Sequence, residues 1–285
     1  MQINKSTVKQ ILSMVLSLIL ALFSIISIVA FTVNVTVSNP SYMKGKAQTS
    51  HFASKVKQEL EETYTSYGAA SGFTIDAFAD ILNEDEIEGA LFKNIEKIYF
   101  DTPALDYDAL NKHIYETLIK NVEVRDIIIT EDIKTGVAQL AAACATDYID
   151  AVSLPFLSYV SSIVNALRQK LKIVNISLIV AFVFTAAFLI ILNKTSHRLF
   201  KYYAYSFSTA FIMSAILPIA VILSDKISYI SVRPISLNHF VVDYLNGIFK
   251  VMINCSFICL IAAILCIVAY YVLRKANSKR AKHKG

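Results

Sequence analysis

The sequence contains few charged residues. Asp, Glu, Lys and Arg make up 17% of its 285 residues, whereas about 25% is usual in soluble globular proteins. Hydrophobic residues make up 55% of the chain and its mean hydropathy is positive. This composition excludes an ordinary soluble protein, and it predicts that a large part of the chain is buried in lipid.

Motifs of common enzyme classes are also missing. There is no HExxH, GxSxG, P-loop or paired-cysteine motif. The long apolar runs contain no Asp, Glu, Lys, Arg or His, the residues that mark ion pathways and intramembrane catalysis. His113 and Glu116 lie one helical turn apart, but a surface histidine beside an acid is common. We therefore expect no enzyme activity, no catalytic residue, no cofactor and no metal.

Four runs without charge are long enough to cross a membrane, namely 10–43, 173–193, 202–224 and 251–273. A helix rises about 1.5 Å per residue and the hydrocarbon core is about 30 Å thick, so about 20 residues suffice. The first run exceeds a signal-peptide core and lacks a small-x-small cleavage site. It is predicted to be an uncleaved signal anchor.

Acidic and basic residues segregate between the connecting segments. The segments before the first run, between the second and third, and after the fourth contain 11 Lys/Arg and no acid, and all 22 Asp/Glu lie in the other two. Short basic loops stay in the cytoplasm. Both termini are therefore predicted to be cytoplasmic.

The C-terminal tail is strongly basic, with Arg274, Lys275, Lys279, Arg280, Lys282 and Lys284. Nucleic-acid-binding surfaces interleave basic and aromatic residues on a folded element. The tail has no aromatic residue, so no nucleic-acid partner is predicted. We interpret it as a topology signal that also attracts the anionic headgroups of membrane lipids, at about 1 kcal/mol per basic residue near the surface.

Apolar residues recur at helical spacing in the long acidic segment, as in Phe52/Val56/Leu60/Tyr64, Leu91/Ile95/Ile98 and Leu110/Ile114/Leu118. Gly68 and Gly72 are predicted to break the first of these helices. Five or six short helices are expected, with strand only around Ile127–Ile129.

Three residues are predicted to cap helices in this segment: Thr74, Asn83 and Asp106. The acidic run NEDEIE, which begins at Asn83, is interpreted as a solvated helix start. A calcium site is the alternative, but the run lacks the alternating oxygen ligands and central glycine of an EF-hand loop.

Two junctions join external residues to apolar runs. Residues 156–193 contain no Gly or Pro, so one helix is predicted to enter the second span, with Pro155 at its start or at a kink. Before the fourth span, Ser236 is predicted to cap an amphipathic helix that ends at Gly247. That helix would lie on the outer leaflet or under the external domain.

Cysteine usage is sparse. Cys144 is the only cysteine outside the apolar runs, so no intramolecular disulfide can support the external domain. Cys255, Cys259 and Cys266 share one helix stripe. We interpret them as small packing residues, with a metal site as the less favoured alternative.

These patterns predict an all-α fold: a four-helix transmembrane bundle with a helical extracytoplasmic domain inserted between the first and second spans. The predicted segments are a cytoplasmic N-terminus (1–10), transmembrane helix 1 (11–38), the extracytoplasmic domain (39–171), transmembrane helix 2 (172–193), a cytoplasmic loop (194–201), transmembrane helix 3 (202–224), an extracytoplasmic loop with an amphipathic helix (225–250), transmembrane helix 4 (251–273) and the basic cytoplasmic tail (274–285).

This layout resembles that of the four-span FtsX/MacB-type permeases, which couple a cytoplasmic ATPase to events outside the membrane. The loop NKTSHRLFK, however, is short for docking an ATPase. The stretches SGFTIDAFADILNEDEIE and AVSLPFLSYVSSIV are similar to those of uncharacterised four-span membrane proteins of Gram-positive bacteria. This second resemblance implies a multi-pass protein of a bacterial plasma membrane and carries no activity.

The function expected from the sequence is that of a non-enzymatic integral membrane protein. Its extracytoplasmic helical domain would bind a ligand or a protein partner in the membrane or cell envelope, and would transmit binding to the transmembrane bundle. The alternatives are a small permease or transmission subunit of an ATPase-coupled complex, and a membrane enzyme.

Overall fold

The computed structural model describes residues 5–100, 102–103, 105–154, 157–193 and 196–282. Within these ranges there is no β-strand, which confirms the all-α prediction. The elements are α1 (Lys5–Val35), α2 (Pro40–Thr49), α3 (Phe52–Ser71), a 3-10 helix (Ile75–Phe78), α4 (Glu84–Phe100), α5 (Tyr107–Val124), α6 (Glu131–Val152), α7 (Leu157–Leu192), α8 (Ser196–Leu223) and α9 (Ile235–Lys282). The strand expected around Ile127–Ile129 is wrong, because these residues form an irregular loop between α5 and α6.

Four of the helices are long and apolar enough to cross a membrane, in the ranges Thr7–Val35, Lys170–Leu192, His197–Leu223 and Ile235–Ala276. The chain is therefore a multi-pass membrane protein. It divides into two compact units. The membrane unit comprises Met1–Val37, Leu167–Tyr229 and Leu245–Gly285, and the acidic domain comprises Ser38–Ala166 and Ile230–Tyr244.

In the membrane unit, α1 packs against parts of the three other long helices. Leu20 of α1 lies in a buried cluster with Leu189 of α7 and Tyr202 of α8. Further along α1, Ile28 lies in a second cluster that includes Cys255 of α9. Because lipid is as apolar as these side chains, tight packing and polar contacts between helices must hold the unit together.

Hydroxyl groups provide those polar contacts. Ser17 of α1 and Ser206 of α8 are joined through their Oγ atoms at 3.0 Å, and Ser206 Oγ also donates to the backbone oxygen of Ser17 at 2.7 Å. Ser214 Oγ and Ser256 Oγ, 2.8 Å apart, join α8 to α9. Interhelical hydrogen bonds of this kind contribute about 0.6 kcal/mol each on average.

The acidic domain is built around α3. Phe52, Val56, Leu60 and Tyr64 are each at most 2% exposed, so the predicted apolar stripe faces the core. Helices α2, α4 and α6 and the 3-10 helix pack against α3, while α5 packs against α6. With 21 acids and 11 Lys/Arg, the domain is strongly negative.

Two of the three predicted caps are confirmed. Asn83 Oδ1 accepts a hydrogen bond from the N–H of Asp85 at 3.0 Å, and the acids of NEDEIE begin α4. Asp106 Oδ1 accepts from the N–H groups of Asp108 and Ala109 at 3.0 and 3.3 Å. Thr74, by contrast, precedes a 3-10 helix and its side chain makes no capping hydrogen bond.

The two glycines near the C-terminal end of α3 have different roles. Gly72 ends the helix with φ of 78°, a left-handed conformation that suits glycine. The break predicted at Gly68 is wrong, since Gly68 is a buried helical residue. Its missing side chain leaves room for the backbone of Phe73, whose oxygen would lie 2.5 Å from a Cβ at position 68.

The chain is helical at both predicted junctions, the one before the second apolar run and the one before the fourth. Helix α7 runs unbroken from Leu157 to Leu192, as predicted, while Pro155 and Phe156 lie outside the described residues. Helix α9 continues through Gly247 to Lys282, so the stop predicted at Gly247 is wrong. One glycine costs a helix only about 1 kcal/mol, which the long helix on either side tolerates.

We predict that Gly68→Ala destabilises the acidic domain, because the new methyl group would meet the Phe73 backbone. The expected loss is roughly 1–3 kcal/mol. Gly89→Ala in α4 is the matched control, because its Cβ meets nothing within 4 Å. It should leave stability equal or raise it by about 0.5–1 kcal/mol.

The measurement uses a variant whose only cysteine is the buried Cys144. Thiol labelling of Cys144 across a urea series reports opening of the acidic domain in the detergent-solubilised protein. Equal midpoints for the two alanine variants would contradict the close packing at Gly68.

Candidate functional site

The acidic domain contains an open cleft of about 1020 Å³ between α3, α6 and the segment that leads into α9. Charged side chains on its walls are Glu59, Glu62, Asp147, Asp150 and Arg233. Four carboxylates against one guanidinium make the cleft negative. A negatively charged concave surface attracts cationic ligands and raises their local concentration.

Glu59 connects two walls of this cleft. Its Oε1 accepts a hydrogen bond from the backbone N–H of Ser236 at 2.9 Å, and its Oε2 accepts one from Ser236 Oγ at 2.7 Å. N–H groups in the first turn of a helix have no partner within the helix, and a carboxylate there is favoured by the helix dipole. Glu59 of α3 therefore caps α9 from a distant part of the sequence.

Ser236 is thus not the N-cap that its sequence context predicts. Helix α9 begins at Ile235, and the N–H of Asn238 bonds to the backbone oxygen of Pro234 at 3.1 Å. Ser236 lies inside the first turn and is fully buried. It offers its N–H and hydroxyl to Glu59 instead of capping its own helix.

Aromatic side chains also attach the start of α9 to the acidic domain. Phe240 of α9 is 1% exposed, and its ring meets that of Phe52 edge to face with centroids 5.7 Å apart. One turn later, the rings of Tyr244 and Tyr42 lie 5.8 Å apart. The apolar side of the predicted amphipathic helix is therefore part of the core of the acidic domain.

Tyr64 and Tyr67 join α3 to α6 near the cleft. Tyr67 Oη donates to Asp147 Oδ2 at 2.8 Å, and this hydrogen bond, with some burial, raises the pKa of Tyr67. Tyr64 Oη donates to the backbone oxygen of Cys144 at 2.7 Å, and burial raises the pKa of Tyr64. Burial likewise raises the pKa of the Cys144 thiol to about 12, so the thiol stays protonated and unreactive in the folded domain.

The described residues that line the cleft carry carboxylates, hydroxyls and one guanidinium but no imidazole or thiol. Among the described residues, no group of three or more His, Cys, Asp or Glu is arranged to hold a metal ion. His113, singled out with Glu116 in the sequence, is exposed on α5 and is not one of the residues that line the cleft.

The other residues of interest lie in the membrane unit. Cys255 and Cys259 pack with Ile28 and Ala210, which agrees with their interpretation as packing residues. Arg274 of the basic tail contacts Tyr270 of α9. The side chains of Lys279, Arg280, Lys282 and Lys284 lie outside the described residues.

Sequence reasoning missed Glu59 and the residues before α9 as parts of one site. Glu59 and Ser236 are 177 positions apart, and no local pattern relates them. No protein-family model, curated protein or solved structure matches this chain. A function can therefore be proposed only from the sequence and the structure of the chain itself.

We predict that Glu59 and Ser236 are energetically coupled. In a double-mutant cycle with Glu59→Gln and Ser236→Ala, the coupling free energy should be about 1–3 kcal/mol, as for hydrogen bonds to a charged group. Glu62→Gln is the matched control, because Glu62 is exposed on the same cleft. Its coupling to Ser236→Ala should stay below about 0.5 kcal/mol.

Urea midpoints from Cys144 labelling give each term of the cycle. If Glu62→Gln and Glu59→Gln show coupling of similar size to Ser236→Ala, the negative charge of the cleft, and not the Glu59–Ser236 hydrogen bonds, stabilises the start of α9.

Proposed function

We propose that this chain is a non-enzymatic receptor-like protein of a bacterial plasma membrane, with both termini in the cytoplasm and the acidic domain outside. The acidic domain binds a ligand or protein partner in its cleft and transmits binding to the membrane helices. The segregation of acids and basic residues supports the orientation.

The observation that carries the proposal is that α9 extends without a break from the cleft into the fourth apolar run. Its first turn, at Ile235, lines the cleft and is held by Glu59, and the same helix continues through the fourth apolar run. Helix α7 likewise begins in the acidic domain and continues through the second run. An occupant that displaces Glu59 from Ser236 would change the capping of a membrane helix directly.

The charge of the cleft indicates the class of ligand. Glu62 and Asp150 are exposed on its walls, and among the described residues that line the cleft Arg233 is the one basic side chain, so the cleft favours a cationic group such as an ammonium or guanidinium. A partner protein would present such a group on an exposed basic segment.

The orientation is tested by single cysteines in a cysteine-free variant. We expect a membrane-impermeant maleimide to label position 86 (Glu86→Cys) in intact cells, and position 279 (Lys279→Cys) only after permeabilisation. Labelling of position 279 in intact cells would reverse the proposed orientation.

Binding is tested by photo-crosslinking in living cells. A photoreactive residue at Ser66, in the cleft, should give a discrete adduct, whereas one at Lys120, on exposed α5, should not. Charge reversal by Glu62→Lys with Asp150→Lys should abolish the adduct. The same reversal at exposed Asp80 and Glu123, which do not line the cleft, is the control and should preserve it.

An adduct that survives reversal of the cleft charges would contradict the cleft as binding site. Stoichiometric co-purification of an ATPase in mild detergent would instead favour the permease-subunit alternative.

A further inference from the structure

A second cluster of charged and aromatic side chains lies in the membrane unit, where α8 begins and the apolar part of α9 ends. Helix α8 begins at Ser196 and carries His197, Arg198 and Lys201 in its first two turns. The last apolar turns of α9 carry Tyr270 and are followed by Arg274.

Tyr270 brings these two helix ends together. Its ring centroid lies 6.5 Å from that of His197. One helical turn later in α9, Arg274 donates from Nη1 to Tyr270 Oη at 3.3 Å, and its guanidinium carbon lies 5.9 Å from the Tyr270 ring centroid. His197 of α8 and the Arg274 guanidinium of α9 therefore lie against the same aromatic ring.

Among the described residues, no salt bridge involves Arg198, Lys201 or Arg274. Residues 151–224 and 244–285 contain no Asp or Glu, so no carboxylate lies in sequence near either helix end. Arg198, Lys201 and Arg274 are exposed. Guanidinium and ammonium groups gathered without a carboxylate are the arrangement that binds phosphate.

The surroundings distinguish a lipid phosphate from a free one. Next to the cations, α9 exposes Val268 by 54% and Val272 by 61%, and α8 exposes Tyr205 by 50%. Lys201 Nζ lies 5.5 Å from the Tyr205 ring centroid, so a cation and an apolar surface adjoin directly. Tyrosines at the end of an apolar span are typical of the level of lipid headgroups.

We propose that the start of α8 and the end of the apolar part of α9 form a binding site for the phosphate group of an anionic phospholipid. Arg274 and Lys201 contact the phosphate, and the acyl chains lie along the exposed apolar faces of the two helices. This site is distinct from the diffuse attraction of the basic tail and does not depend on the proposed function of the acidic domain.

The test measures lipid binding to the full-length protein in a neutral detergent. Native mass spectrometry gives the affinity for phosphatidylglycerol and for phosphatidylcholine with the same acyl chains. The double variant Lys201→Gln/Arg274→Gln should bind phosphatidylglycerol about tenfold or more weakly than the unmodified protein. Neither residue is buried, so both replacements should leave the fold intact, which the Cys144 labelling midpoint and far-UV circular dichroism check.

The matched control is Lys279→Gln/Lys282→Gln, which removes the same charge from the tail and should change the affinity by less than about threefold. Tyr270→Phe keeps the ring but removes the hydroxyl that accepts from Arg274, and should weaken binding less than the double variant does.

Equal losses of affinity in the site variant and the tail variant would overturn the discrete site. Equal affinities for the two lipids would overturn the role of the anionic headgroup, and displacement of phosphatidylglycerol by excess inorganic phosphate would overturn the lipid as ligand.

Discussion

The carboxylate of Glu59 accepts hydrogen bonds from the N–H and the hydroxyl of buried Ser236, and so attaches the start of α9 to α3. Because the ring of Phe240 also enters the core beside Phe52, residues 230–244 belong to the acidic domain although they are distant from it in sequence. The acidic domain is thus formed by two chain segments, Ser38–Ala166 and Ile230–Tyr244. The first continues into the membrane unit through α7, and the second continues through α9.

The membrane unit follows a different physical rule from the acidic domain. The apolar runs of its long helices contain no Asp, Glu, Lys, Arg or His, and buried hydroxyls such as Ser17, Ser206 and Ser256 make polar contacts between the helices. Such bonds are weak, so a bundle of this kind can adjust the packing of its helices at modest cost. Under the proposed function, the acidic domain, which holds the first turns of α9, biases that packing.

Local patterns were sufficient to predict much of this architecture. The stripes on α3, α4 and α5, the caps at Asn83 and Asp106 and the four apolar runs all follow from residues within one or two helical turns of each other. The cleft could not be predicted in this way, because Glu59 meets Ser236 only through the tertiary fold. The helix ends predicted at Gly68 and Gly247 are wrong, because sequence alone does not show whether a helical glycine is packed against a backbone or tolerated in a long helix.

The central claim is that α9 is one continuous helix from the acidic domain into the apolar run. Hydrogen exchange of the detergent-solubilised protein tests it most directly at residues 245–251, around Gly247. A continuous helix predicts that these amides exchange as slowly as those of residues 238–244. Fast exchange confined to residues 245–251, with protected amides on both sides, would show a break in α9 and would contradict the claim.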